Sequence, residues 1–426
     1  MKESILHYFW QFRLFSIQEL KTTDGQSVEV IDVGKPNTDA GPDFFNAKLK
    51  IGDTYWAGNV EIHNESSDWL KHHHHKDKAY DNVILHVVGL ADMDIFRTSG
   101  EKIFQLELIV PEYIQKNYEE LLNAKKWIPC EDKIGLLPPF LMSSWKNALL
   151  IERLERKSLD IEQLLEQTTN HWEEAFYISL ARSFGFGTNS QAFEMLAKSL
   201  PVNLLAKHKD DLRLIEALLF GQAGFLEEEP VDEYQKFLKK EFFFLRSKYK
   251  LTPIEASNWK LLRLRPDNFP HIRLAQFASL IHNSTKLFSK IILTEIIKDM
   301  RELFVFEVSD YWKNHFLFGT ESPFSRKKIG KNSIDVLIIN TVVPFLFMHA
   351  KRNGGDVEKS LELLEHIPAE NNSIIRNWSK LGFPSKNALD SQAYLQLKKN
   401  YCDEKKCLQC RVGHKLLSRN ENPSHR

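Results

Sequence analysis

Gly41-Pro42-Asp43-Phe44-Phe45-Asn46-Ala47-Lys48-Leu49-Lys50-Ile51, then Gly52-Asp53, then Thr54-Tyr55-Trp56-Ala57-Gly58-Asn59-Val60-Glu61-Ile62-His63, is the run on which the fold of the first part of the chain turns. Residues 45–51 alternate in polarity with the period of two of a half-buried strand. Gly52-Asp53 supplies turn chemistry, and 54–63 runs back as the partner strand, so the stretch reads as a β-hairpin. Upstream, Ser27 to Val33 alternates between Gly25 and Gly34 and reads as another strand. Downstream, Asn82 to Val88 is an apolar strand interrupted only by His86, and Phe104 to Val110 alternates until Pro111. The polar stretch 64–81, with Trp69 and four consecutive histidines, reads as a short helix or a loop. Residues 1–20 read as an amphipathic helix followed by a short second one.

Beyond about Tyr113 the texture turns helical. Apolar residues recur at helical spacing over 172–184, 193–200, 211–220 and 271–281, the last of these opened by the turn Pro266-Asp267-Asn268-Phe269-Pro270. The expected class is α+β: a small mixed-sheet unit over 1–125, a mainly α-helical region over 126–400, a cysteine cluster over 401–416, and a polar, disordered tail over 417–426. There is no fixed-period repeat and no low-complexity tract.

The chain has 426 residues, 42% hydrophobic and 27% charged, with 29 Phe, which is enough apolar material for a sizeable core. Lys+Arg and Asp+Glu both number 57. That balance excludes a strongly basic nucleic-acid coat but leaves room for a local basic groove. Arg263, Arg265 and Arg273 around one turn, and Lys327, Lys328 and Lys331 around Gly330, are candidates for phosphate contacts. Solvated faces are the plainer reading of both groups. The N-terminus carries no apolar segment of the export type, so a soluble, cytosolic protein with reduced thiols is expected. The apolar stretch Ile334 to Ala350 contains Asp335, Asn340 and Pro344. It is read as too short for a bilayer span and as a buried helix.

Side chains two apart on a strand share a face, so Glu61 and His63 point the same way, and the hairpin brings Asp43 beside them. Converging carboxylates repel unless a proton, a cationic side chain or a divalent cation lies between them. Hard oxygen ligands suit Mg²⁺ or Mn²⁺. Pro42-Asp43 and Glu61-Ile62-His63 resemble the Pro-Asp and Glu-x-Lys motifs of the PD-(D/E)xK nuclease superfamily, whose strand-strand-strand-helix-strand order also suits Val28 to Val88. The resemblance implies a nuclease-like N-terminal unit, with Asp43, Glu61 and the Ile62 carbonyl as metal ligands. His63 would stand where the superfamily has its catalytic lysine. On a helix His72 and His75 can face one ion, and in an extended stretch His72 and His74 can. His72, His75, Tyr80 and His86 are possible further members of that site, and the resemblance places Tyr80 where related iron-sulphur nucleases carry a tyrosine.

Cys402, Cys407 and Cys410 form a tight cluster, and Cys130 is the only other cysteine. In a reducing compartment such spacing reads as a Zn²⁺ or [4Fe–4S] site before it reads as disulfides. The pattern resembles the iron-sulphur staple of AddB-type helicase-nucleases, except that here the lone cysteine follows the core and the spacing differs. Nearly the whole chain also resembles an uncharacterised bacterial family of unknown function. That likeness is carried by Gly41-Pro42-Asp43-Phe44, Gly58 to His63, Ser67-Asp68-Trp69, Tyr80 to Val88, Phe220 to Gly224 and Arg265 to Pro270. Two functions follow from these residues: a metal-dependent nuclease cleaving DNA or RNA, or a non-catalytic nuclease-like scaffold that binds a partner.

Overall fold

The computed structural model describes residues 2–15, 20–284 and 286–419. The short second helix expected before Leu20, and most of the expected disordered tail, fall outside them. The chain forms two compact units. Met1–Met142 and Lys398–Arg426 make the first, and Ser143–Leu397 makes the second. The change in sequence texture lies near 125, but the segment around Cys130 still packs with the first unit, and the cysteine-bearing C-terminal stretch returns to it.

Helix α1 (Glu3–Gln11) opens the first unit. It buries Ile5, Leu6, Tyr8, Phe9 and Trp10, the apolar stripe its spacing predicts. A mixed sheet follows, formed by β1 (Val28–Asp32), β2 (Lys35–Pro36), β3 (Phe44–Ile51), β4 (Thr54–Glu65), β5 (Val83–Leu90) and β6 (Phe104–Glu107). The strand order is β1-β3-β4-β5-β6, with β2 paired to β3. The hairpin β3–β4 is antiparallel, with Ile51 opposite Thr54 across Gly52-Asp53. β4–β5 and β5–β6 are parallel. A parallel partner requires a crossover, and residues 66–82 provide one: the short helix α2 (Asp68–Lys71) and the 3₁₀ turns His74–Lys76 and Lys78–Tyr80. β5 lies between β4 and β6, and all of Val83 to Val88 is buried, which explains its apolar run. The α+β class is therefore as the sequence indicates.

At Gly58 a methyl group would stand 2.5 Å from Ile84 Cγ2 and 2.7 Å from the Asn82 carbonyl, so only glycine lets β4 approach the start of β5 this closely. Helix α3 (Glu112–Asn123) completes the unit together with the C-terminal helix Arg411–Leu417. Asn117 Nδ2 donates to the carbonyls of Leu417 (3.2 Å) and Arg419 (3.1 Å), and Tyr8 Oη lies 2.8 Å from His414 Nδ1.

The second unit is helical apart from one two-stranded ribbon (His315–Leu317 with Thr320–Glu321) among the described residues. Its core is aliphatic with aromatic rings set into it; Phe220 and Trp312, for example, stack at 4.9 Å. Arg273 turns inward, donating to Asn268 Oδ1 (2.6 Å) and Gln276 Oε1 (2.9 Å). Lys327 donates to the His315 carbonyl and lies over the Phe316 ring, and Lys328 pairs with Glu307. Three of the candidate phosphate contacts are thus committed within the unit. The apolar stretch read as Ile334–Ala350 belongs to a longer helical run, Lys331–Asn353. Its 23 residues make it long and apolar enough to cross a membrane by length and composition, although 67% of its apolar window is buried inside the protein.

Candidate functional site

The hairpin brings Asp43 and Glu61 together through a reciprocal latch. Asp43 N–H donates to Glu61 Oε2 (3.1 Å), and Ile62 N–H donates to Asp43 Oδ2 (2.9 Å). Each carboxylate is therefore oriented by the other's strand. Glu61 is nearly fully buried, 4% exposed. Burial, reinforced by the Asp43 charge, pushes its carboxyl up to about 9. Burial also raises Asp43, against the lowering effect of the His7 charge and the Ile62 N–H. Raised this far, the Glu61 carboxyl keeps its proton at neutral pH.

Imidazoles crowd the Glu61 side. Glu61 Oε1 lies 3.5 Å from His63 Nε2 and 3.3 Å from His74 Nε2. His63 is buried; its Nδ1 is 2.8 Å from His86 Nε2 and its Nε2 is 3.0 Å from His72 Nδ1. Burial, together with the charges of His86, His72 and His74, lowers His63 to about 2, and burial lowers His86 to about 3, so both rings are neutral at pH 7. Trp69 lies edge-on beneath His74, Tyr80 and His86, and its Nε1–H donates to the Phe96 carbonyl (3.2 Å). The Tyr80 ring lies 3.8 Å from that of His74, and burial with the charges of Glu61 and Asp43 raises its hydroxyl to about 12.

Of the residues singled out in the sequence, the structure brings Asp43, Glu61, His63, His72, Tyr80 and His86 into one cluster. His75 is turned away toward His73, and His74 takes the place at the site instead. The cause is local. His73 has φ +63°, a left-handed conformation between α2 and the following 3₁₀ turn. Its neighbours on either side, His72 and His74, then face the same space. Glu3 and His7 are further members that sequence reasoning missed. His7 Nε2 lies 3.5 Å from Asp43 Oδ2 and 3.9 Å from Glu3 Oε1, and that nitrogen is buried without a hydrogen-bond partner. The available signal was the four-residue spacing of these two ionisable residues on one face of the helix.

The four cysteines form a second centre. Cys130, Cys402, Cys407 and Cys410 are free thiols that line one small cavity with Leu121, Pro129 and Tyr401. Burial raises all four. Cys407 reaches about 11 and Cys410 about 12, while each of Cys130 and Cys402 also feels the charges of other cysteines in the group. The backbone N–H groups of Val412 and Gly413 point at the Cys410 sulfur. A methyl group at Gly413 would lie 2.0 Å from the Cys407 carbonyl, so only glycine permits that approach. Buried thiols that disfavour one another's ionisation, with amides aimed at one sulfur, match the donor chemistry of a closed thiolate site.

The family described as "Protein of unknown function (DUF2851)" matches residues 3–373. The chain belongs to that family. The match takes in the carboxylate–histidine cluster and Cys130 and ends before Cys402. No curated protein and no solved structure matches the chain.

Proposed function

For this member of the family we propose a divalent-cation-dependent phosphodiesterase acting on DNA or RNA, stabilised by a structural Zn²⁺ or [4Fe–4S] centre at Cys130, Cys402, Cys407 and Cys410. The observation that carries the first part is the latch between Asp43 and Glu61, a half-buried and a buried carboxyl held together by reciprocal backbone hydrogen bonds with imidazoles alongside. Asp43 and Glu61, with the Ile62 carbonyl, would hold Mg²⁺ or Mn²⁺. Such an ion, when bound, lowers the pKa of a water and offsets charge on the phosphate. His7 Nε2, 3.5 Å from Asp43 Oδ2 and with no hydrogen-bond partner of its own, is placed to take the proton of the attacking water as its oxygen bonds to phosphorus. The ester oxygen then leaves with its electron pair and is protonated by solvent.

One observation favours the scaffold reading. His63, at the position of the superfamily's lysine, is neutral and tied between His86 and His72, so it carries no charge to a phosphate. Cleavage assays on labelled single- and double-stranded DNA and RNA, with Mg²⁺ or Mn²⁺, separate the two. The nuclease reading expects cation-dependent products from the wild type and a loss of at least about 100-fold in Glu61→Gln and Asp43→Asn. Absence of cation-dependent products on every substrate decides for the scaffold. Anaerobic purification followed by visible spectroscopy tells the two forms of the cysteine centre apart: a brown protein holds iron-sulphur, and a colourless one containing zinc holds Zn²⁺.

A further inference from the structure

We infer that His63, His72 and His74, with Glu61, form a separate position for a nitrogen-preferring transition-metal ion of the Zn²⁺ class, beside the oxygen-lined Asp43 position. The inference rests on the carboxylate reading only in sharing Glu61. That residue turns Oε2 to the Asp43 amide and Oε1 to the histidines, so it presents one oxygen to each side.

Donor spacing is the main argument. The ligating atoms of His63, His72 and His74 all lie within 4.8 Å of one another. The shorter separations are 3.0 Å (His63 Nε2 to His72 Nδ1), 3.3 Å (His74 Nε2 to Glu61 Oε1) and 3.5 Å (His63 Nε2 to Glu61 Oε1). Donors around a tetrahedral ion with bonds of about 2.0–2.1 Å sit ~3.3–3.4 Å apart. Three imidazoles and one carboxylate suit Zn²⁺ and its neighbours and suit Mg²⁺ poorly.

The tautomer argument is independent of spacing. If His63 Nδ1–H donates to His86 Nε2, His63 Nε2 is left as a bare lone pair facing the other donors. Metal-bound histidines are commonly fixed in this way by a partner on the far nitrogen. His86 is fully buried and packed edge-on against Trp69, so that partner is rigid. His72 is the exposed member and therefore the entry side.

The test is cobalt binding to the metal-depleted full-length protein, followed by visible d–d absorption and by equivalents bound. It compares the wild type with His72→Ala and His74→Gln; His72 is exposed, so its variant should melt as the wild type does. Wild type is expected to bind one more equivalent than either variant, or to bind it at least 10-fold more tightly. Thiolate-to-cobalt charge-transfer bands should be equal in all three, and Zn²⁺, but not millimolar Mg²⁺, should displace the extra equivalent. Equal binding by wild type and variants, or displacement by Mg²⁺, overturns the inference. The phosphodiesterase reading fails separately: cobalt bound at the histidines with no cleavage of any nucleic acid sinks that reading alone. Cleavage dependent on Asp43 and Glu61 with no histidine-bound ion sinks only the inference.

Discussion

His73 shows how far one backbone angle can govern a site. In a run of four histidines nothing in the side chains says which will converge. A left-handed residue, which for anything but glycine costs about 1–2 kcal/mol, sends His72 and His74 to one space and His75 elsewhere. Sequence reasoning reached Asp43, Glu61 and His63 because strand alternation and a hairpin turn are local signals. It left His72 with His75 and His72 with His74 both open and carried His75 into the site, because it had no access to the φ of His73. Glu61 supports a prediction at this scale. Its carboxyl is held at about 9, against 4.5 ordinarily, so the folded metal-free protein keeps a proton that the unfolded chain sheds. The stability from this group is complete below about pH 4.5 and is lost as pH rises towards 9. His63 and His86 act in the opposite sense, losing stability as pH falls below 6.5, and both remain in a Glu61→Gln variant. The melting temperature of metal-free wild type should therefore fall relative to Glu61→Gln between pH 5 and 9, and saturating Mn²⁺ should shrink that gap. Calorimetry giving parallel curves for the two proteins would refute the proton retained by Glu61.

Among the elements, the parallel pair β4–β5 decides whether the site exists. β4 carries Glu61 and His63, β5 carries His86, and the pairing sets Glu61 opposite His86 and His63 opposite Val88. Gly58 lies at the start of that pairing. Gly58→Ala would press a methyl group against Ile84 and the Asn82 carbonyl, forcing the strands apart where their register is set. A loss of ~1–3 kcal/mol is expected in urea unfolding, in line with other overpacking changes. Divalent-cation affinity should weaken too, although Gly58 contacts no ligand. An unchanged midpoint would show that the strands yield easily there. The hairpin and the apolar run of β5 were legible because period two and continuous burial leave clear marks in sequence. The parallel pairing was not, since it depends on where the crossover with Trp69 packs.

At the scale of the whole molecule, the chain leaves its first unit at Met142 and re-enters it at Lys398. Composition could suggest that four cysteines make one centre, but it could not place Cys130 beside Cys402, Cys407 and Cys410, because that closure spans most of the chain. Cys130 lines one cavity with Cys402, Cys407 and Cys410, so the proposed ion or cluster would tie the returning segment to the segment that follows α3. Cys130→Ser should lower the bound zinc or iron and expose residues 398–419 to limited proteolysis sooner than in the wild type, with a lower melting temperature. Unaltered metal content and an unaltered digestion pattern would remove Cys130 from the centre.

That re-entry also bears on synthesis. A ribosome makes the sheet first, yet the strand-bearing unit lacks its closing helix until all of residues 143–397 have been translated. At about 5–20 residues per second that is a wait of roughly 13–50 s. Throughout it, the nascent sheet must stay out of aggregates without its final clasp, and a prematurely terminated chain never acquires one.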